Sequence, residues 1–278
     1  MAHRLLSFLG ALLANLVLVL LAIFALVPLV LMVATAFKPS NEIFQIPPQL
    51  LPTNWTIDNF RKVLFESSIP LYALNSLFVG AMTTAAALIL GCIAGYGFAR
   101  FRFPGNRPLS LAMLLGQLVP LTALIVPFYL AFDQFRLVDT PIALAIGHLT
   151  VVLPLVTWMA TSYFESIPKE LDEASMMDGS SRLGALWRIT LPLATPGIIA
   201  IGVFAFLNSW NEFVLASIVT ISDRSRTLPV GLTEFAGMFS TDWGSTMAAA
   251  TLMTLPVLIA FLAFQRYFVQ GLAAGAVK

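Results

Sequence analysis

Six long windows without a charged side chain constrain this chain more than any other feature. No Asp, Glu, Lys or Arg interrupts residues 11–37, 67–99, 108–132, 140–164, 189–211 or 243–265, and none of these windows is shorter than 23 residues. About 20 apolar residues in a helix cross the roughly 30 Å hydrocarbon layer of a bilayer. Each window is therefore long enough to span, and together they account for most of 278 residues. Only 10% of the residues are charged and the mean hydropathy is +0.89, whereas a soluble domain carries about a quarter charged residues. The expected fold class is all-α integral membrane, with six transmembrane helices in one domain spanning residues 1–278. The fifth span extends to 217 if Glu212 is taken inside it. Pro28, Pro120, Pro127, Pro154 and Pro256 lie within windows, a placement that neighbouring helices make tolerable in membranes.

The remaining composition excludes several function classes. A net charge of +1 gives no basic field for nucleic acid. Cys92 is the only cysteine and sits in an apolar run, so neither a disulfide nor a cysteine metal cluster is expected. The first window is too long for the 7–15-residue apolar core of a signal peptide and reads as an uncleaved helix. His3 and His148 are too far apart for an HExxH site, and no G-x-S-x-G elbow is present. Asp133 and Asp139 read as a hydrated outer loop rather than an acid/base pair.

Basic residues orient the chain. With the N-terminus inside, inner segments hold nine and outer segments six Lys or Arg. The short loop Arg100 to Arg107 carries three basic and no acidic residues. Both termini are expected in the cytoplasm. Three connections are long: outer 38–66 with a short helix Ile57–Leu64, inner 165–188, and outer 218–242.

The inner segment carries too much pattern for a plain loop. Pro168 suits a first helical turn, and Glu170, Asp172 and Glu173 complement the positive end of a helix. Leu171, Ala174 and Met177 make one stripe, and Asp178-Gly179 supplies a left-handed stop. A second helical piece, Arg182 to Arg188, leads back to the membrane. By spacing alone the segment reads equally as an interfacial amphipathic hairpin that joins two spans; an acidic helix is a poor partner for anionic lipid, which tilts the reading toward a protein partner.

These residues resemble the EAA motif in the membrane subunits of bacterial ABC importers. Here it reads Glu173-Ala174-Ser175, then Gly179, Ile189, Leu191 and Pro192, with Ser175 where Ala is usual. Asn208-Ser-Trp-Asn-Glu-Phe213 and the tail from Gln265 to Lys278 resemble the maltose-type carbohydrate permeases of that family. The resemblance implies a type I ABC importer permease fold in the bacterial inner membrane. Its cytoplasmic coupling helix would dock through Glu173, Ala174, Ser175, Asp178 and Gly179 into a separate ATPase, with the tail from Arg266 as a second contact. Implied partners are a second permease forming a heterodimer, two copies of the ABC ATPase, an extracytoplasmic solute-binding protein and membrane lipid. No glycine precedes a lysine, so the chain lacks a GxxxxGK phosphate loop. The chain itself is therefore expected to be no enzyme and to hold no cofactor, ATP and Mg being used by the ATPase.

Polar residues within spans are candidates for a solute path. Asn208, Trp210, Asn211 and Glu212 suggest an external mouth, because amides and carboxylates bind hydroxyls and an indole stacks on a sugar face. Counting 20 residues at 1.5 Å each from Pro192 puts Glu212 near the outer interface, where it reads equally well as an interfacial carboxylate that stays hydrated. Gln117 and His148 lie nearer mid-depth. An ion-coupled carrier or channel for a small polar solute is the alternative, and it would ordinarily show ionised side chains at mid-membrane.

Overall fold

The computed structural model describes residues 2–237 and 241–276, with side chains described for 10–237 and 241–267. Among the described residues there is no β-strand, only an isolated bridge between Ala236 and Thr241. In chain order the helices longer than one turn are α1 Ala2–Ala36, α2 Asp58–Phe65, α3 Ile69–Arg100, α4 Asn106–Gly116, α5 Leu121–Gln134 and α6 Pro141–Glu165. They continue as α7 Lys169–Met177, α8 Arg182–Leu193, α9 Thr195–Trp210 and α10 Trp243–Ala276.

Four helices are long and apolar enough to cross a membrane unbroken, over Gly10–Ala36, Ile69–Arg100, Pro141–Glu165 and Trp243–Tyr267. The other two windows are broken. α4 and α5 meet at 94°, and α8 and α9 at 85°. The count reaches six only if each bent pair is one span. The sequence windows predict continuous helices there, and proline explains the difference. Pro28, Pro127, Pro154 and Pro256 all lie inside helices. Pro120 instead sits just before α5, in extended backbone at φ −64° and ψ 134°, where its ring disfavours a helical Val119. Residues 117–120 are exposed. At the second break the buried Ala194 separates α8 from the Thr195-Pro196 start of α9. Alone, the 16 residues of α9 reach about 24 Å, short of the hydrocarbon thickness.

By internal packing the chain divides into two compact units, residues 1–67 with 232–254 and residues 68–231 with 255–278. In the first, the α1 surface from Leu12 to Val30 is uncovered, as a lipid-facing helix requires. The short α2, expected at Ile57–Leu64, is in place. The buried Asn59 amide donates to Ala36 O (2.9 Å) and Lys38 O (2.8 Å), capping the end of α1. Asp242 caps α10 by accepting from Ser245 N at 3.1 Å, and pairs with Lys62.

In the second unit α3 and α6 pack along a seam of small residues, with α9 against both. Its core includes Ala87, Tyr96, Val156, Ala160, Phe164, Leu186 and Ile201. At Gly95 the backbone of α6 comes close: a Cβ would stand 2.9 Å from Ala160 Cβ, 3.0 Å from Thr161 N and 3.1 Å from Thr157 O. Two of those three neighbours are backbone, so only glycine permits this spacing. Thr140 caps α6 by accepting from Ala143 N (3.2 Å), and Pro141 occupies the first turn.

Candidate functional site: the inner helix and its joint

α7 begins after Pro168 and stops where the sequence predicts. Gly179 has φ +89°. Gly179 N donates to Met176 O and Ser180 N to Ser175 O, both at 3.0 Å. This is the paired closure of a Schellman cap, which satisfies carbonyls that a helix end leaves open. Ser181 then caps α8, its hydroxyl accepting from Gly184 N at 3.1 Å. The expected second helical piece is present, but its hydrogen bonding shifts to a π-turn over Leu186–Thr190.

The faces of α7 are reversed relative to a soluble amphipathic helix. Its apolar stripe points away from the chain: Leu171 is 42% and Met177 87% exposed, with Ala174 between them. Glu173, Asp178 and Gly179 share this exposure. The inward face is polar, made of Asp172 and Ser175. Ser175, expected to dock with its neighbours, is turned into its own chain and is no part of the outward surface.

A buried ion can persist only with close partners, and Asp172 has two. Arg100 Nε donates to its Oδ2, and the Thr190 hydroxyl to its Oδ1, both at 2.6 Å. Arg100, the last residue of α3, also donates through Nη1 to Phe164 O (2.9 Å) and through Nη2 to Ile167 O (3.1 Å). Its side chain and that of Asp172 are 7% and 4% exposed. Sequence reasoning assigned Asp172 to the helix dipole and Arg100 to topology. The partners lie 72 positions apart, and nothing in the local pattern links them.

At the other end of the same unit, the structure brings two path candidates together. His148, buried on α6, has Nδ1 2.8 Å from Ser209 Oγ and Nε2 3.2 Å from Glu212 Oε2. An ionised Glu212 carboxylate would accept here from a protonated Nε2. Glu212 also accepts from Leu215 N (2.8 Å) and Ala216 N (3.1 Å), capping a short turn Ala216–Val219. Trp210 is covered by the chain at 1% exposure and stacks on Phe206, which leaves no indole face open for a sugar. Asn208 and Asn211 are exposed, their amides donating back to Phe204 O and Leu207 O. Gln117 is exposed at the α4–α5 break and donates to Val151 O at 3.0 Å. The predicted mouth thus splits into an exposed pair of amides and a covered tryptophan and carboxylate.

Asp139 is no merely hydrated loop residue. It accepts from Ile221 N and Ser222 N (2.8 Å each), from the Ser222 hydroxyl (2.6 Å) and from Ser225. Partial burial alone would raise its carboxyl. The four hydrogen bonds outweigh that and hold it well below the usual carboxylate range. Asp133 takes no part in this knot.

The side chains of the tail beyond Tyr267, expected to form a second ATPase contact, lie outside the described residues.

Comparison with known proteins places this geometry. A family described as binding-protein-dependent transport system inner membrane component matches residues 87–274, which include the inner helix, its joint and the His148 cluster. The chain is 34% identical over 272 residues to the diacetylchitobiose uptake system permease protein DasC of Streptomyces coelicolor, covering 98% of this chain and 99% of that one. It is 34% identical to the trehalose/maltose transport system permease protein MalG of Thermococcus litoralis, with 94% of each chain covered. Among solved structures, a bacterial ABC transporter involved in import of the acidic polysaccharide alginate gives a TM-score of 0.79 over 94% of this chain and 97% of that chain. At 22% identity that likeness bears on the fold alone. On the family match and the full-length relatives, this chain belongs to the inner-membrane permease components of binding-protein-dependent ABC importers, non-catalytic multi-pass subunits that work with an ATPase and a solute-binding protein.

Proposed function

We propose that this chain forms half of the translocation path for a sugar or related polyol and is driven by an ATPase that grips α7. The observation that carries this reading is the outward apolar face of a helix whose inward face is ionic. Leu171, Ala174 and Met177, edged by Glu173 and Asp178, give a small surface that only a partner protein can cover usefully, because exposed apolar residues on an acidic helix suit neither water nor anionic lipid. Gly179, without a side chain, lets that partner come close to the turn. Two ATPase copies would serve a heterodimer of this chain and a second permease, with ATP and Mg held by the ATPases. Closure of the ATPase pair moves α7, and the helices it is joined to swing between inward-open and outward-open arrangements.

The basic loop Arg100 to Arg107 supports a reading in which both termini face the cytoplasm. The outer segments 38–66 and 218–242 would receive the binding protein. Asn208, Asn211 and Gln117 are the path candidates that remain available to a solute or to the second permease. The sugar class rests on full-length relatives named for diacetylchitobiose and for trehalose/maltose.

Co-purification of the tagged chain with its native partners tests the docking. Wild type should bring down a P-loop ATPase, and Met177→Asp should insert normally but lose it. Equal recovery of the ATPase by both would refute the docking face. Uptake of labelled maltose, trehalose and diacetylchitobiose by the reconstituted complex tests the solute class. No saturable uptake of any saccharide would overturn the sugar assignment.

A further inference from the structure

We infer that Arg100, Asp172 and Thr190 form a rigid joint that carries motion of α7 into the membrane helices. The inference deepens the docking proposal and rests on it. A helix gripped by a partner does work on the membrane only through bonds that resist its displacement. The outward face of α7, with Leu171, Ala174 and Met177, is exposed, so load leaves chiefly through the inward face. That face holds Asp172, and its two oxygens are divided between two elements. One takes Arg100 at the end of α3, and the other takes Thr190 in the π-turn that leads into α9.

Arg100 extends the joint to a third element. Its two terminal nitrogens hold the Phe164 and Ile167 carbonyls, at the end of α6 and just before α7. The planar guanidinium fixes all three bonds in one geometry, which a lysine ammonium does not reproduce. α3, α6, α7 and the α8 π-turn are thereby held at one buried point. Apolar packing alone would let α7 slide, whereas charge-assisted bonds in a site closed to water are directional and short. Arg100, Asp172 and Thr190 are thus positioning residues and touch neither solute nor nucleotide.

The experiment is amide hydrogen exchange on the assembled complex in lipid nanodiscs, with and without ATP and vanadate, for wild type, Asp172→Asn, Thr190→Val and Thr190→Ser. In wild type, nucleotide trapping should change exchange together in three segments: 96–101, 169–178 and 186–193. Asp172→Asn should keep the ATPase bound and keep the change in 169–178. In the other two segments the nucleotide response should fall by about tenfold, the weight of one charge-assisted hydrogen bond. If Asp172→Asn does not assemble, Thr190→Val carries the test, since it removes one hydroxyl from one arm. It should silence 186–193 while sparing 96–101, and Thr190→Ser should restore the response. A purely structural role predicts general loss of protection without nucleotide and no segment-specific decoupling. A full three-segment response in both Asp172→Asn and Thr190→Val, with ATPase bound, overturns the joint and leaves the docking proposal standing. If no ATPase binds wild type, the docking proposal falls and the joint with it.

Discussion

The turn at Gly179 offers a prediction in which backbone and size give opposite answers. Its φ of +89° lies where an L side chain is strained, yet a Cβ built there meets nothing within 4 Å. Substitution therefore costs backbone energy and no steric energy within this chain. An ordinary L residue in left-handed backbone costs roughly 1–2 kcal/mol. Asn tolerates that region better than Ala, and a β-branched residue is worst. The expected order is Gly, Asn, Ala, Val, although Asn is bulkier than Ala. The assay is amide exchange at residues 179 and 180 in the solubilised chain, whose N–H groups close the cap onto Met176 and Ser175. A cost of 1–2 kcal/mol in the closed cap should speed exchange about 5–30-fold in Gly179→Ala. The increase should be smaller in Gly179→Asn and larger in Gly179→Val. ATPase recovery in co-purification should follow the same order. If Ala is milder than Asn in exchange, crowding governs the site and the backbone reasoning is wrong.

Further outcomes follow from the same unit. Gly95→Ala should lower the melting temperature in detergent, because overpacking of about 1–3 kcal/mol outweighs a helix-propensity gain of about 1 kcal/mol. Gly97→Ala, two residues on with nothing within 4 Å, should leave it equal or higher, and matching shifts would contradict the seam. Glu212→Ala should melt earlier than wild type, because it strips acceptors from His148, Leu215 and Ala216, while the solute preference of the remaining uptake stays the same. A changed preference would instead put the carboxylate on the path. Asp139 has a depressed carboxyl, so its contribution is present above its ordinary value of 3.8 and is lost as pH falls below that towards the folded value. Proteolysis of 220–228 should stay slow at neutral pH and speed up as the medium is acidified below 3.8. In Asp139→Asn it should be fast already at neutral pH; a pH-independent rate equal to wild type would refute the knot.

How much of this was legible in the sequence depends on the range of the interaction concerned. The four unbroken spans were visible because a bilayer demands about 20 apolar residues wherever a helix crosses, a constraint local to each window. The stop of α7 was equally local, written in Asp178-Gly179. The break at Pro120 was not, since four other prolines sit inside intact helices and a single sequence does not say which will yield. The orientation of α7 came out reversed from habit: an apolar stripe faces inward in a lone soluble chain, but here the partner lies outside. The pairings of Arg100 with Asp172, and of His148 with Glu212, join residues 72 and 64 positions apart, and only the packed helices set them. Trp210 looked like a sugar platform by its chemistry and proved to be core by its position on α9.

The corner between α4 and α5 has a consequence for where this chain can stand on its own. From Asn106, the 11 residues of α4 rise about 16 Å, so the corner falls roughly halfway through a 30 Å layer. A helix that starts anew there has first-turn amides with no acceptor inside it. Oil offers none, so irregular main chain at that depth endures only against protein or water. The uncovered stretch from Gln117 to Pro120 is thus a side that acyl chains must not wet, and a solitary copy of the polypeptide would carry it as an open wound in the membrane.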